Sequence, residues 1–158
     1  MGFRTVAIGR RREKEKLAKD LGAHVYIDTA VDDAAAVLQR MGRARAILAT
    51  ATSGDAMGPL VFGLAVGGKL IVVGVPQDPI QLNAFPLVFG GRSIYGSLTG
   101  TPIDSTLAFS VLENIRPMIE TVLLDQAADA YTRMMQGKAR FRMVLVIKDG
   151  VAQRSPVN

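Results

Sequence analysis

Apolar residues in this chain come in short runs, each ended by glycine or by polar residues. Thr5–Ile8 is such a run and predicts a buried strand. After Gly9 and three arginines, Glu13–Leu21 carries Leu17 and Leu21 four apart with Ala18 alongside. That is the spacing of a helix face, and Gly22 follows as its stop. His24–Ile27 predicts a second strand, closed by Asp28 and Thr29. Asp32 and Asp33 then cap a helix running through Met41, with Ala36, Leu38 and Met41 on its inner side and Gly42 at its end. Ala44–Ala49 is a third strand, Thr50–Gly54 a polar turn and Ala56–Leu64 a helix broken by Gly67 and Gly68. Lys69–Val75 is the strongest strand, apolar on both faces, as in parallel sheets covered by helices.

The second half continues more loosely. Pro76–Pro86 is an irregular connection with three prolines, and Leu87–Phe89 a short helix. Ser93–Leu98 is a strand followed by Thr99 and Gly100. Pro102–Leu112 is a helix with Ile103, Leu107 and Val111 four apart, and Met118–Glu120 a short extended piece. Leu124–Gln136 is a helix carrying Ala127, Tyr131 and Met134, stopped by Gly137. Phe141–Ile147 is the last strand. The alternation predicts an α/β fold: a doubly wound, Rossmann-like, mostly parallel sheet with helices on both faces. Residues 1–147 form that domain, and the polar tail 148–158 is expected to fray. No internal repeat is visible.

Composition narrows the function. The 158 residues are enough for one domain with a core, and at 49% apolar the chain is too hydrophobic for disorder. No apolar run reaches the roughly 18 residues of a membrane span, and no secretory signal opens the chain, so a cytoplasmic location is expected. The absence of cysteine excludes disulfides, a thiolate zinc site and a thiol nucleophile within these residues. The net charge of +5 is concentrated in one dense cluster, Arg10–Arg12, with no basic stripe interleaved with aromatics. That fits a small phosphorylated ligand better than a nucleic acid. His24, the only histidine, stands at a strand start and reads as structural. Tyr26, Tyr95 and Tyr131 read as packing residues.

Four pieces, in this order, carry a family resemblance. They are Val6–Gly9 running into Lys16–Ala23, then Gly68–Val75, then Gly96–Gly100, then Met134–Arg142. Together they resemble the cofactor-binding domain of the zinc-containing, medium-chain alcohol dehydrogenases, after its first strand and helix. The family's glycine-rich phosphate turn would lie about 20 to 30 residues upstream of Arg4. The expectation is therefore an N-terminally truncated domain, with zinc and the catalytic domain outside this chain.

The resemblance implies roles for particular residues. The acid that selects NAD in the family falls on Gly9, which cannot bind the ribose diol and leaves room for a phosphate. Arg10, Arg11 and Arg12 would then bind the 2′-phosphate of NADP, in preference to NAD. Three cations at a helix N-terminus oppose the helix dipole, which calls for another reason for them. Lys14 matches a lysine that reaches the ribose. Thr50, Ala51 and Thr52 lie at a strand's carboxyl end, where open sheets bind ligands, although Thr52 or Ser53 could simply cap the next helix. Val73, Gly74 and Val75 end the strongest strand, with Gly74 allowing close approach to the nicotinamide ribose, or serving as a packing glycine. Ser97, Leu98 and Thr99 match the segment whose backbone holds the carboxamide. Arg142 matches an arginine that reaches the pyrophosphate; Arg140, on the same strand, has no counterpart. No catalytic residue and no metal ligand is expected in the chain.

In the family strand order the missing first strand is central, between the Thr5–Ile8 and Ala44–Ala49 strands. Two apolar edges are then open, and such edges seek partners. The chain is expected to form a homo-oligomer, a dimer for instance through the Ser93–Leu98 edge, or to pair with the remainder of its protein. The whole enzyme would act on a small alcohol or carbonyl compound, and this chain alone would be silent. Two other readings compete: a zinc-free quinone or enoyl reductase-type relative, and a non-catalytic nucleotide-binding or assembly module.

Overall fold

The computed structural model describes residues 2–98 and 103–147, and the chain divides into two compact units, Met1–Thr101 and Pro102–Asn158. In the first unit, β1 (Val6–Gly9) leads through a 3-10 turn at Arg12–Lys14 into α1 (Glu15–Asp20) and then β2 (Val25–Asp28). β1 and β2 pair in parallel, with Gly9 opposite Asp28. Next come α2 (Ala34–Arg40), β3 (Ala44–Ala49), α3 (Gly54–Met57), a 3-10 segment Gly58–Gly63 and β4 (Leu64–Val72). α4 (Ala84–Gly90) and β5 (Ser93–Gly96) complete the unit. β3, β4 and β5 form a parallel ladder in that order.

One core serves both ladders. Ile27 from β2, Leu38 from α2, Ile47 and Ala49 from β3, Met57, Val61, and Leu64 and Leu70 from β4 are buried together. Val6 and Ile8 of β1 pack against them. Yet no strand pairing joins β1–β2 to β3–β5 among the described residues. The parallel, helix-covered sheet is as expected, and it is interrupted between β1 and β3, where the resemblance places another strand. On the β3 strand, Leu48 is left 62% exposed. No helix among the described residues is long and apolar enough to cross a membrane.

In the second unit, α5 (Ile103–Leu112) is followed by β6 (Ile119–Leu123), a 3-10 turn at Leu124–Gln126, α6 (Ala127–Met135) and β7 (Arg142–Val146). β6 and β7 pair in parallel, Ile119 opposite Arg142 and Leu123 opposite Val146. The tail from Lys148 lies outside the described residues, as do Thr99, Gly100 and the expected helix start at Pro102.

Several elements differ from the periodicity, each for a local reason. The Ala56–Leu64 helix is one α-turn followed by 3-10 structure, because Pro59 has no N–H to continue the α pattern. The strongest strand spans Leu64–Val72, not Lys69–Val75. Leu64 already pairs with Ala44, a bulge follows at Ala44/Ala46, and Gly67 takes up the extra backbone at φ 69°. At its other end, Val73 N and Gly74 N both donate to Ala49 O at 3.0 Å, which turns the chain off the ladder. Only Asp33 caps α2, its carboxylate accepting from Ala35 N and Ala36 N at 2.8 and 3.2 Å. The helix buries Ala34, Ala35 and Leu38, while Ala36 and Met41 are half-buried. Leu21 is exposed, since α1 stops at Asp20. Leu107 and Val111 are exposed too, because apolar residues such as Phe109 and Leu112 occupy other sides of α5 and leave no single face.

Leu70 is fully buried at the middle of β4. Leu70→Ala is expected to destabilise the chain by about 2–5 kcal/mol in urea unfolding. Leu48→Ala should cost far less; similar losses at both positions would contradict this core.

Candidate functional site

The first cluster of interest is the turn at the carboxyl end of β1. Arg10, Arg11 and Arg12 are exposed there. Arg11 sits at φ 76°, ψ 137°, a region side chains rarely adopt and one that costs about 1–3 kcal/mol. Its backbone is held on both sides. Arg11 N donates to Asp28 Oδ1 at 2.7 Å, and Tyr26 Oη donates to Arg11 O at 2.8 Å. Asp28 Oδ1 also accepts from Ala30 N at 2.9 Å.

The three arginines are not equivalent. Arg12 Nε pairs with Glu15 Oε2 at 3.2 Å. Glu15 is also paired with Lys19 at 2.7 Å, and Lys19 first, then Arg12, holds its carboxyl below the usual range. Among the described residues the side chains of Arg10 and Arg11 have no hydrogen-bond or ion-pair partner. Lys14 closes the 3-10 turn and is exposed.

Gly9 has a different physical reason from the one the sequence offers. A Cβ there would lie 2.6 Å from Tyr26 Oη, so the space above Gly9 is filled by the tyrosine and is not vacant for a phosphate. Tyr26 therefore packs over Gly9 and also spends its hydroxyl on the Arg11 carbonyl. Burial, then Asp28, then Glu15 and Glu13 push its phenol up. Tyr95 and Tyr131 are exposed, Tyr95 lying under Lys69 Nζ at 5.3 Å.

A second cluster forms at the carboxyl ends of β3, β4 and β5. A Cβ at Gly74 would meet Ala51 O at 2.0 Å and Thr50 O at 2.8 Å. Glycine is thus required by the approach of Val73–Val75 to Thr50–Thr52, which the fold brings together. Ser97 N donates to Val72 O at 2.9 Å. That N–H is committed to the protein and does not serve a carboxamide, while Leu98 is exposed and Thr99 lies outside the described residues.

Neither Thr52 nor Ser53 caps α3. Asp78 does, its Oδ2 accepting from Gly54 N at 2.8 Å and Asp55 N at 3.2 Å. Gly54 and Gly58 have no room for a side chain, facing Pro79 O and Gln81 O. The proline-rich connection is therefore packed onto α3 and the 3-10 segment. A cleft of about 710 Å³ opens beside it, between Asp55, Phe62, Gln81 and Leu82. It contains none of the residues singled out by sequence and offers one carboxylate with no charged partner.

In the second unit Arg142 opens β7 and is exposed. Arg140 lies in the preceding turn rather than on the strand. Glu120, which the sequence pairs with no other carboxylate, fixes that turn: Arg140 N donates to Oε1 and Arg133 Nη2 to Oε2, both at 2.5 Å. The Arg140 N–H, then Arg133, hold its carboxyl below the usual range. Phe141 follows at φ 68°. Contacts 13 and 20 residues away leave no local sequence signal.

Zinc-ligand candidates are sparse among the described residues. The chain has no cysteine, His24 Nδ1 accepts from Thr5 N at 3.1 Å, and the described residues hold no metal-ligand cluster. A dinucleotide fits better: two guanidiniums without a partner among the described residues at one strand end, and touching loops at the ends of β3 and β4.

Comparison with known proteins accords with this geometry. A family model described as zinc-binding dehydrogenase matches residues 1–115. Alcohol dehydrogenase patD of Penicillium expansum is 39% identical over 148 residues, 92% of this chain and 43% of that protein. An alcohol dehydrogenase of Geobacillus stearothermophilus is 34% identical over 152 residues, 94% of this chain and 45% of that protein. The chain thus spans less than half the length of these relatives. The crystal structure of the alcohol dehydrogenase from Aeropyrum pernix superposes with a TM-score of 0.77 at 24% identity, over 90% of this chain and 42% of that one. That likeness speaks for the fold alone.

The Asp78 cap yields a pH test. Its own backbone N–H, first of all, holds this carboxyl below the usual range; burial opposes that, and the N–H groups of Asp55 and Gly54 add to the lowering. Its contribution is present above the ordinary aspartate value of about 4 and is lost as pH falls through the lower folded value. Asp78→Ala should lower the melting temperature at pH 7, and the gap to wild type should shrink towards pH 3. A gap constant with pH would remove the carboxylate from this role.

Proposed function

The chain belongs to the zinc-binding dehydrogenase family, and from that premise we propose that it is the NADP-binding portion of an alcohol dehydrogenase-like oxidoreductase. The observation that carries the choice of NADP is the pair of unpartnered guanidiniums, Arg10 and Arg11, at the end of β1. Charge-assisted, bidentate bonds to a 2′-phosphate are what such groups make best. Arg12, drawn to Glu15, contributes less. Lys14 would reach the adenosine ribose and Arg142 the pyrophosphate. Thr50–Thr52 and Val73–Val75 would border the nicotinamide side, with Leu98 nearby.

When bound, the nicotinamide supplies or accepts a hydride; the whole protein would pass it between the cofactor and a small alcohol or carbonyl compound. Residues of this chain bind and orient. Acid, base and zinc-ligand chemistry would come from the part of the protein that the longer relatives have beyond the span matched here.

Association is part of the same reading. β1 and β3 each present an edge with no strand partner among the described residues, and Leu48 is uncovered beside one of them. Open parallel edges over an apolar face pair with another strand, from a second copy or from the rest of the protein.

Three measurements test these statements. In fluorescence titrations, Arg10→Ala combined with Arg11→Ala should weaken NADPH about tenfold or more and leave NADH nearly unchanged, since each charged hydrogen bond is worth roughly 1.5–3 kcal/mol. Equal losses would refute the phosphate role, and a melting temperature unmoved by millimolar NADPH and NADH would refute cofactor binding. Light scattering of the chain at micromolar concentration should give more than the mass of one chain; a sharp monomer would count against the open-edge reading.

A further inference from the structure

We propose that Tyr26 and Asp28, on the strand beside the one that bears the arginines, are positioning residues that set the selectivity for NADP by clamping the peptide groups of Arg11. The inference rests on the cofactor reading above and deepens it.

Three observations converge on Arg11. Its φ of 76° is one that an arginine does not hold unaided. Its N–H is bound by Asp28 Oδ1 at 2.7 Å and its carbonyl by Tyr26 Oη at 2.8 Å. Tyr26 and Asp28 are two apart on β2, so both side chains rise from the same face of the strand. The turn is therefore gripped at both peptide groups by one face of the neighbouring strand.

Gly9 belongs to this device. Tyr26 Oη lies where a Cβ at position 9 would stand, 2.6 Å away. A side chain there must displace the hydroxyl and release the Arg11 carbonyl. The usual way to favour NAD, an acid at this position, would then damage the arginine turn as well as repel a phosphate. Glycine at 9 and tyrosine at 26 act as one choice.

The contrast between backbone and side chains points to a ligand rather than to fold support. The backbone of Arg11 is tied at both ends while its guanidinium and that of Arg10 are unpaired among the described residues. A turn fixed in advance leaves only side-chain freedom to be lost when an anion binds, and such preorganisation raises affinity without a new contact. The carboxylate of Asp28 would itself repel a phosphate. Its place here makes sense if its oxygen is needed as an acceptor for the Arg11 and Ala30 N–H groups, a task that asparagine also performs.

The test compares Tyr26→Phe, Asp28→Ala and Asp28→Asn with wild type and with the Arg10→Ala, Arg11→Ala pair. Each is titrated with NADPH and with NADH, and its melting temperature recorded. Tyr26→Phe and Asp28→Ala should each lower the NADPH-to-NADH affinity ratio about tenfold. Asp28→Asn should keep the ratio at or above the wild-type value, since it retains the acceptor and loses the charge. Should Asp28→Ala fail to fold, Tyr26→Phe, which removes one oxygen atom, carries the test. Equal weakening of both nucleotides in Tyr26→Phe and Asp28→Ala would mark a merely structural role and overturn the proposal. So would an unchanged ratio in those variants while the double arginine variant loses it, which leaves the cofactor reading standing. An unchanged ratio in the double arginine variant removes that reading, and this inference with it.

Discussion

The constraint on which the first unit depends is that a single apolar core must hold two ladders that share no backbone hydrogen bonds. Ile27 of β2 and Ile47 and Leu70 of the other ladder are buried in it together. In a continuous parallel sheet, hydrogen bonds between neighbouring strands would fix the relative register of all five. Here side-chain packing alone does so between β1 and β3. Packing is non-directional and strong, at roughly 25 cal/mol per Å² of apolar surface removed from water, but it specifies register less sharply than a ladder. The separation between β1 and β3 is therefore where the sheet is held least sharply.

The elements legible in the sequence were those whose cause is local. Ala44–Ala49 is a strand with the bounds its apolar run implies, and Asp33 caps α2 as an aspartate before an alanine-rich run should. The strand alternation gave the parallel architecture because apolar runs bounded by glycine are what buried parallel strands require. Misreadings arose where a distant contact decides. The cap on α3 comes from Asp78, 24 residues on, and the end of β4 is set by Ala49 O drawing in two N–H groups. Neither leaves a local pattern.

The site shows the same division. Three arginines after a strand-ending glycine are conspicuous in a sequence, and so is a glycine at the end of the strongest strand. Their positions were legible; their reasons were only partly so. Gly74 is needed against the Thr50 and Ala51 carbonyls, and Gly9 against Tyr26. Both glycines serve protein–protein contacts within the unit, and through them the site. The residues missed, Tyr26, Asp28 and Glu120, all act on the backbone of a segment far along the chain. Tyr26 looked like any aromatic in a strand because a phenol's hydrogen bond cannot be read from its spacing.

The arginine turn concentrates several local conflicts, and that is what marks it as a candidate site. Three adjacent cations repel one another, stand at the start of a helix whose dipole disfavours them, and include a residue in a strained backbone conformation. Glu15 relieves this for Arg12 alone. If stability were the only demand, lysine or arginine further along α1 and a glycine at position 11 would serve better. Instead the neighbouring strand supplies two side chains to hold the strained residue in place, and leaves two guanidiniums without partners. On the reading proposed above, an anion between Arg10 and Arg11 would remove the repulsion and give the strain its compensation. Arg43, the other arginine of this unit at positive φ, differs in that its guanidinium is spent on the Phe62 carbonyl.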